Sequence, residues 1–321
     1  MTGEGHHVKI SHYPRIKRKT IMDLSEVARL ESEISNQTKQ IKKLEMQVKL
    51  GGNLAKELER QKAVALEAQE EVRKSIQYAS RIQGAMLPSS LPDDLLIDRI
   101  WKPLNVVGGD FYVIKDLGET ILIAVIDCTG HGVPGALLST LTGSIFDRII
   151  NDTDVKKAGE YLTSAHNLIS TMLGQHDDSK VKSNDGFDGS ICLLNKKTKT
   201  LQFAGARSSI FLLPLDGHTI EVKGNRKSAG GSRTPINYAF DTHEVNIADH
   251  IVVMLTDGIM DVMSEEPTHV LFGKDRLLKI LSMWNDYDPS RIINNVQIAL
   301  DNHRGTQPFR DDMTLVAFRL N

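Results

Sequence analysis

The sequence has little that would favour a membrane, secreted or nucleic-acid-binding protein. It contains only two cysteines, Cys128 and Cys192, too few for a disulfide framework or a cysteine-based zinc site. No segment approaches the ~18 consecutive apolar residues that span a bilayer. The first twenty residues lack the apolar core of a secretory signal. The formal net charge of -2 gives no reason to expect nucleic acid. We therefore expect a cytoplasmic globular protein.

Proline is absent between residues 24 and 87, and this region has the pattern of a long helix. Apolar residues occupy heptad a and d positions up to Val48 and again from Leu58, with a phase shift of three residues at Gly51-Gly52. An apolar stripe cannot be buried by one helix alone. Residues 21–87 therefore predict a homodimeric coiled coil, and a hairpin folded at the two glycines is the alternative. Residues 1–20 are expected to be a solvated, mobile tail.

The pattern changes after Pro88 to short β-rich segments separated by turns. The predicted strands are ILIAVID, ICLL, LQFAGA, SIFLLPL, IVVML and TLVAFRL. The predicted helices are PGALLSTLTGSIFDRIIN, AGEYLTSAHNLISTMLGQ, DRLLKILSMW and PSRIINNVQIALDNHR. Strands interrupted by pairs of helices favour an α+β domain over residues 88–321, with helices packed on sheets.

Aspartates recur where these strands meet turns. Asp110 follows two glycines, Asp127 ends ILIAVID, Asp257 follows IVVMLT, and Asp311 precedes the last strand. One Asp-Gly pair is a common turn signal, but four such positions favour a shared site. Clustered carboxylates repel each other, and Mg²⁺ or Mn²⁺ would relieve that repulsion because both prefer oxygen ligands. Two such ions could clamp the oxygens of a phosphoryl displacement.

The order of these motifs resembles that of a known family. The matching segments are GGDFY, IAVIDCTGHGVPGAL, FAGAR, MLTDGIMD and DDMTLVAFRL. Together they look like the metal-dependent PPM/PP2C-type serine/threonine phosphatases, and most like the bacterial branch of SpoIIE and RsbU. The resemblance covers roughly residues 76–321, and SIQYASRIQGAMLP looks like the helix that leads into the catalytic domain of that branch.

This resemblance implies a sandwich of two antiparallel sheets flanked by helices, with a binuclear Mn²⁺ or Mg²⁺ centre. It makes Asp110 and Asp127 the ligands shared by both ions, and Asp257 and Asp311 further ligands. Cys128 would contribute its backbone carbonyl, where the family often has glycine or valine. A thiolate ligand from Cys128 is disfavoured because these metals are hard cations.

Other residues take weaker implications from the resemblance. His131 is a candidate general acid for the leaving alkoxide, and a role in shaping its loop is the alternative. Asp185 or Asp188 could hold a third metal ion, or could belong to a polar turn. Arg207 is a candidate substrate contact or a surface arginine at a strand end. Asp312 is a less favoured ligand than its neighbour.

The implied function is hydrolysis of phosphoserine or phosphothreonine by an activated water, without a phosphoenzyme. In this branch the usual substrate is a phosphorylated STAS-type anti-sigma-factor antagonist or a similar switch protein. The long helix suggests control by dimerisation through residues near 72–87, with a separate sensor protein as partner. The alternatives are a non-catalytic phosphatase-like scaffold and a two-metal nucleotide enzyme. GGD fits a nucleotide cyclase poorly, because Phe111 and Tyr112 replace its signature glutamates.

Overall fold

The computed structural model describes residues 24–152, 155–176, 183–214, 218–265, 269–283 and 288–321. The predicted N-terminal tail lies outside these ranges. The chain divides into two units, Met1–Glu71 and Val72–Asn321. Residues 72–87, at the end of the long helix, thus cluster with the second unit. Every helix in the described ranges is too short or too polar to cross a membrane.

Helix α1 extends over Leu24–Met86. It continues through Gly51 and Gly52, so the chain does not fold back there as the hairpin alternative requires. Two glycines weaken a helix by about 1 kcal/mol each, but the surrounding Ala, Glu, Lys, Gln and Leu residues are strong helix formers. Its heptad side chains are exposed in the single chain, with Ile41 at 55% and Leu58 at 63%. The homodimer remains a prediction that these unpaired apolar side chains motivate.

The second unit contains two antiparallel sheets and four further helices within the described residues. Its strands are β1 Leu95–Lys102, β2 Asp110–Asp116, β3 Thr120–Cys128, β4 Gly186–Asn195, β5 Thr200–Ala206, β6 Ser209–Pro214, β7 Ile220–Lys223, β8 Ala229–Gly230, β9 His243–Asn246, β10 His250–Leu255 and β11 Met313–Leu320. Its helices are α2 Gly132–Ile150, α3 Ala158–Met172, α4 Gly273–Leu281 and α5 Pro289–Arg304, with a 3₁₀ turn at Asp257–Ile259.

The two sheets pack face to face and each carries a helical pair on its outer face. The β3 sheet has the order β2-β3-β4-β5-β9, with β8 beside β4, and the β11 sheet has the order β1-β11-β10-β6-β7. Strand β3 is buried on both faces. Leu122 and Ile126 pack with α2 and α3, while Ile121 and Val125 pack against the other sheet. A strand buried on both faces is continuously apolar rather than alternating.

The fold predicted from the sequence is confirmed, because the structure is an α+β sandwich of two antiparallel sheets flanked by helices. All six predicted strands and all four predicted helices are present. The six predicted segments do not cover strands β1, β2, β7, β8 and β9. Strand β1 mixes polar and apolar residues, and β7 and β9 are four-residue edge strands that are partly exposed, so their composition gives little β signal.

Candidate metal centre and substrate cavity

Strand register brings three of the predicted aspartates side by side. Asp110 on β2 pairs directly with Asp127 on β3, and Asp127 pairs with Asp188 on β4. Residues directly opposite in an antiparallel pair have Cβ atoms only about 4.5–5.5 Å apart, so like charges there destabilise the sheet. Three carboxyl groups at one level of a sheet therefore need protons or cations between them.

Two further aspartates reach this place from the β11 sheet. Asp257 follows β10 at the start of the 3₁₀ turn, and Asp311 immediately precedes β11. Both line a cavity of about 580 Å³ together with Asp127 and Asp188. Residues that lie up to about two hundred positions apart in the chain thus share one cavity, and the buried Asp110 lies beside it as the strand partner of Asp127.

Burial and mutual repulsion raise the pKa values of the central carboxyl groups. Desolvation is the largest cause for Asp110, whose pKa rises to about 7, with further contributions from Asp312 and Asp311. Desolvation also dominates for Asp127, and the neighbouring charges of Asp110 and Asp257 help to raise its pKa to about 10. The pKa values of Asp257 and Asp188 are raised by the same desolvation. The metal-free cluster therefore retains protons near neutral pH.

Hydrogen bonds orient these carboxyl groups. Asp110 accepts at Oδ2 from the hydroxyls of Thr256, at 2.7 Å, and Thr314, at 2.8 Å. The Asp127 and Asp257 carboxyl groups hydrogen-bond to each other, so one of the two must carry the shared proton. The sequence analysis missed both threonines, although each lies beside a recognised motif, in MLTDG and in DDMTL.

Asp312 has a structural role that is distinct from that of Asp311. Its Oδ1 accepts from the backbone N–H of Leu104 and its Oδ2 from that of Gly109, each at 2.6 Å. A Cβ on Gly108 would collide with the Asp312 carboxyl group, so that position requires glycine. The buried Asp312 side chain therefore holds the Gly-Gly-Asp segment, while Asp311 lines the cavity.

The glycines of the site allow backbone to pack on backbone. A Cβ on Gly258 would collide with the carbonyl oxygen of Asp312, and one on Gly109 would lie 2.6 Å from the carbonyl oxygens of both Cys128 and Gly130. Each of these glycines therefore admits a neighbouring strand or loop, which a side chain would exclude.

The Cys128 and His131 side chains occupy different environments. The Cys128 sulfur is buried and lies 3.6 Å from Thr142 Oγ1 of α2, and burial raises the pKa of its thiol. A neutral thiol is a poor ligand for a hard cation, so only the backbone carbonyl fits the predicted role. His131 is exposed on the cavity at the N-cap of α2, with Nδ1 3.5 Å from Asn105 Nδ2.

The predicted third-metal and substrate residues are distinguished by their positions. Asp188 lines the cavity, whereas Asp185 precedes β4, is exposed and offers its backbone carbonyl to Gln175. Arg207 lies on the same cavity, with Nε 3.5 Å from Asp188 Oδ2. It adopts a left-handed backbone conformation, with φ of 47°, at the turn between β5 and β6. Arg207 is thus placed beside the carboxylates rather than on a remote surface.

Helix α1 also contacts this region through a residue that the sequence analysis did not single out. The buried Gln83 side chain accepts from the backbone N–H of Gly108 at 3.2 Å and donates to the Gly108 carbonyl at 2.6 Å. Its amide also donates to Ser139 of α2 at 2.9 Å. The available sequence signal was the segment SIQYASRIQGAMLP, which contains Gln83 and looks like the helix that leads into the catalytic domain.

The donor chemistry of the cluster fits a divalent hard cation. Oxygen ligands dominate, and the proton shared by Asp127 and Asp257 occupies a position where a cation could replace it. As the side chains stand, no three His, Cys, Asp or Glu residues in the described ranges are arranged to hold an ion. The fit of a divalent cation to this site thus rests on the oxygen donors of the aspartates and on the repulsion between their carboxyl groups. Cation binding would require small rotations of these side chains.

Comparisons with known proteins identify the family. The model of the Stage II sporulation protein E (SpoIIE) family matches residues 118–321, more than half of the chain. The phosphoserine phosphatase RsbU of Bacillus subtilis is 21% identical over 253 residues, which cover 78% of this chain and 71% of RsbU.

Solved structures of similar proteins share the fold. The SiaA-PP2C domain of Pseudomonas aeruginosa is 30% identical, with a TM-score of 0.66, over 79% of this chain and 99% of that domain. A structure of the PP2C phosphatase domain of Bacillus subtilis SpoIIE with a fragment of its regulatory domain has a TM-score of 0.58 at 16% identity. That match covers 72% of this chain and 64% of the SpoIIE chain.

Asp127→Asn should stabilise the metal-free protein at pH 8. The folded state holds the Asp127 proton that the unfolded state releases near pH 4, so the free energy of unfolding falls as pH rises from about 4 towards 10. The asparagine amide does not ionise, so the free energy of unfolding of the variant does not fall in this way. We expect a melting temperature several degrees higher in EDTA, since 1 kcal/mol corresponds to about 2–4 °C in a domain of this size. The gain should shrink towards pH 5, and exposed Asp147→Asn should show none. An unchanged or lower melting temperature for Asp127→Asn at pH 8 would contradict the repulsion described above.

Gly258→Ala should destabilise the protein by about 1–3 kcal/mol, because the new methyl group must displace the Asp312 backbone. Gly84→Ala in α1 is the matched control, since a Cβ there meets nothing within 4 Å and alanine favours a helix. Urea unfolding measures both. A neutral Gly258→Ala variant would mean that the 3₁₀ turn adapts freely.

Proposed function

The chain belongs to the SpoIIE family and is a PP2C-type protein serine/threonine phosphatase, and we propose that its substrate is a phosphorylated regulatory switch protein of the bacterial cytoplasm. The substrate class that the family resemblance favours is a STAS-type anti-sigma-factor antagonist. The observation that carries the proposal is the convergence of aspartates from both sheets on one cavity. Family membership sets aside the scaffold and nucleotide-enzyme alternatives.

Two Mn²⁺ or Mg²⁺ ions would be held by four aspartates and one backbone carbonyl. These ligands are Asp110, Asp127, Asp257, Asp311 and the Cys128 carbonyl oxygen. When bound, the ions would supply Lewis-acid stabilisation of the charge that develops on the phosphoryl oxygens. Asp188, directly opposite Asp127 in the sheet, is the proposed ligand of a third and weaker ion.

The chain's own residues orient and neutralise the reacting groups. Thr256 and Thr314 fix one oxygen of Asp110, which leaves the other available to a cation. Arg207, beside Asp188, is placed to contact the phosphoryl oxygens of the substrate. His131, on the cavity at the start of α2, would give a proton to the leaving serine oxygen. Positioning of this kind accounts for most catalysis of phosphoryl transfer.

We propose that helix α1 controls this site as part of a homodimer, with an upstream partner protein acting on the coil. The support is the contact of Gln83 with Gly108, two residues before Asp110. Met86 packs near Gly143 of α2, where a Cβ would collide with its methyl group. A rotation of α1 would therefore shift the segment that carries the first proposed ligand.

Phosphate release from a phosphorylated STAS-type protein tests the proposed reaction. We expect release in Mn²⁺, none in EDTA, and a reduction of kcat by at least about 100-fold in Asp127→Ala and Asp257→Asn. Exposed Asp147→Asn is the control with the same loss of charge. Mn²⁺ should also raise the melting temperature of the wild type in proportion to its occupancy, and less in Asp257→Asn. Release that persists in EDTA would overturn the metal assignment.

Gln83→Ala should lower kcat by about tenfold or more with little change in KM, because it removes both bonds to Gly108. Gln61→Ala, on the exposed part of the same helix, is the matched control.

Deletion of residues 1–70 should give a monomer with altered activity. A monomeric deletion variant with unchanged activity would exclude control by dimerisation.

A further inference from the structure

The cavity that the carboxylates line is also lined by positively charged residues. These residues, called here the basic wall, are Arg207, Arg226, Lys227 and Arg233. Arg207 lies in the turn between β5 and β6, and the other three flank the short strand β8. All four side chains are exposed to solvent. The cavity lining thus combines carboxylates, which attract cations, with basic side chains, which attract anions.

The segment 226–233 carries three of the four members of the basic wall, and buried polar side chains anchor it. The backbone N–H of Gly230 donates to His166 Nδ1 at 2.8 Å, and that of Gly231 donates to Gln175 Oε1 at 2.7 Å. His166 Nε2 lies 2.9 Å from the Pro235 carbonyl, and both His166 and Gln175 are fully buried. The two glycines have φ values of 80° and 75°, which few other residues adopt. The cations therefore project from a fixed loop rather than from a free one.

Most of the positive charge on the wall is not neutralised by the protein. Arg207 pairs with Asp188. Within the described ranges, no carboxylate lies at ion-pair distance from Arg226, Lys227 or Arg233, and Lys227 bonds only to the Arg233 carbonyl, at 3.4 Å. Neutralisation of the carboxylate cluster therefore accounts for the presence of Arg207, but not for that of Arg226, Lys227 and Arg233. Uncompensated cations along a cleft raise the local concentration of an anionic ligand.

We propose that Arg226, Lys227 and Arg233 form a subsite for acidic side chains that flank the phosphoserine of the substrate protein. The inference rests on the proposed function, since it places the phosphoryl group at the carboxylate cluster. Arg207 is the wall member that touches this cluster, so it serves the phosphoryl group. The remaining three line the same cavity without an ion pair to the carboxylates that the structure describes, and its volume of about 580 Å³ exceeds the size of one phosphoserine side chain. Glutamate or aspartate near the phosphoserine would fill that space with complementary charge.

The test compares phosphopeptides with acidic and neutral residues around the same phosphoserine, using the full chain in Mn²⁺. The variant is the triple substitution Arg226→Gln, Lys227→Gln and Arg233→Gln. We expect the wild type to favour the acidic peptide in kcat/KM by about tenfold, because several exposed ion pairs act together. The triple variant should lose this preference, and p-nitrophenyl phosphate, which lacks flanking residues, should be hydrolysed equally by both proteins.

The matched control changes net charge by the same amount at exposed lysines outside the cavity, with Lys115→Gln, Lys199→Gln and Lys279→Gln combined. It should keep the preference, and added salt should reduce the preference of the wild type. Melting temperatures check that both triple variants are folded.

Binding separates this inference from the proposed function. Peptides with glutamate in place of phosphoserine cannot be hydrolysed, and fluorescence anisotropy should show tighter binding of the acid-flanked form to the wild type only. If the protein hydrolyses no phosphorylated substrate, the proposed function is contradicted. The binding result still decides whether the three residues form a subsite for acidic side chains. Equal binding of acidic and neutral peptides, or a preference kept by the triple variant, would overturn the subsite. An equal loss on p-nitrophenyl phosphate would place the wall against the phosphoryl group and also overturn it.

Discussion

Mutual repulsion among clustered aspartates is the constraint on which the rest of this structure depends. Asp110, Asp127 and Asp188 stand opposite one another across three strands, and Asp257 and Asp311 approach from the second sheet. Such an arrangement costs folding energy, as the raised pKa values of Asp110 and Asp127 show. The apolar cores on both faces of the β3 sheet supply the stability that this cluster removes.

The Gly108-Gly109 segment is where the parts of the domain meet. Asp312 holds it from the β11 sheet and Gln83 holds it from α1. Helix α2 contributes Ser139, which contacts the same Gly108 carbonyl. The position of Asp110 therefore depends on one sheet and two helices at once. A segment with so many fixed partners can respond as a unit when one of them moves, which makes it a suitable point for control.

In the function that we propose, catalysis and substrate recognition are divided between two groups of residues that line one cavity. The carboxylates come from strand ends and their adjoining turns, where register determines their positions, and the basic wall comes from a loop anchored by His166 and Gln175. A loop can change its side chains without disturbing the sheet. In the function that we propose, this division separates the residues of the chemistry from those that select the phosphoprotein.

The sequence by itself determined the elements and the chemistry class. Apolar runs and helical periodicity are local properties, so the strands and helices around the site could be predicted, as could the aspartates at strand ends. Composition could not reveal the exposed edge strands β7 and β9. Only the tertiary structure decided between neighbours, since it turned Asp312 towards the Gly108-Gly109 backbone and placed Asp188 rather than Asp185 on the cavity. It also brought Gln83 to Gly108, a contact between residues 25 positions apart. Register and side-chain direction depend on how distant segments pack, and no local pattern encodes that packing.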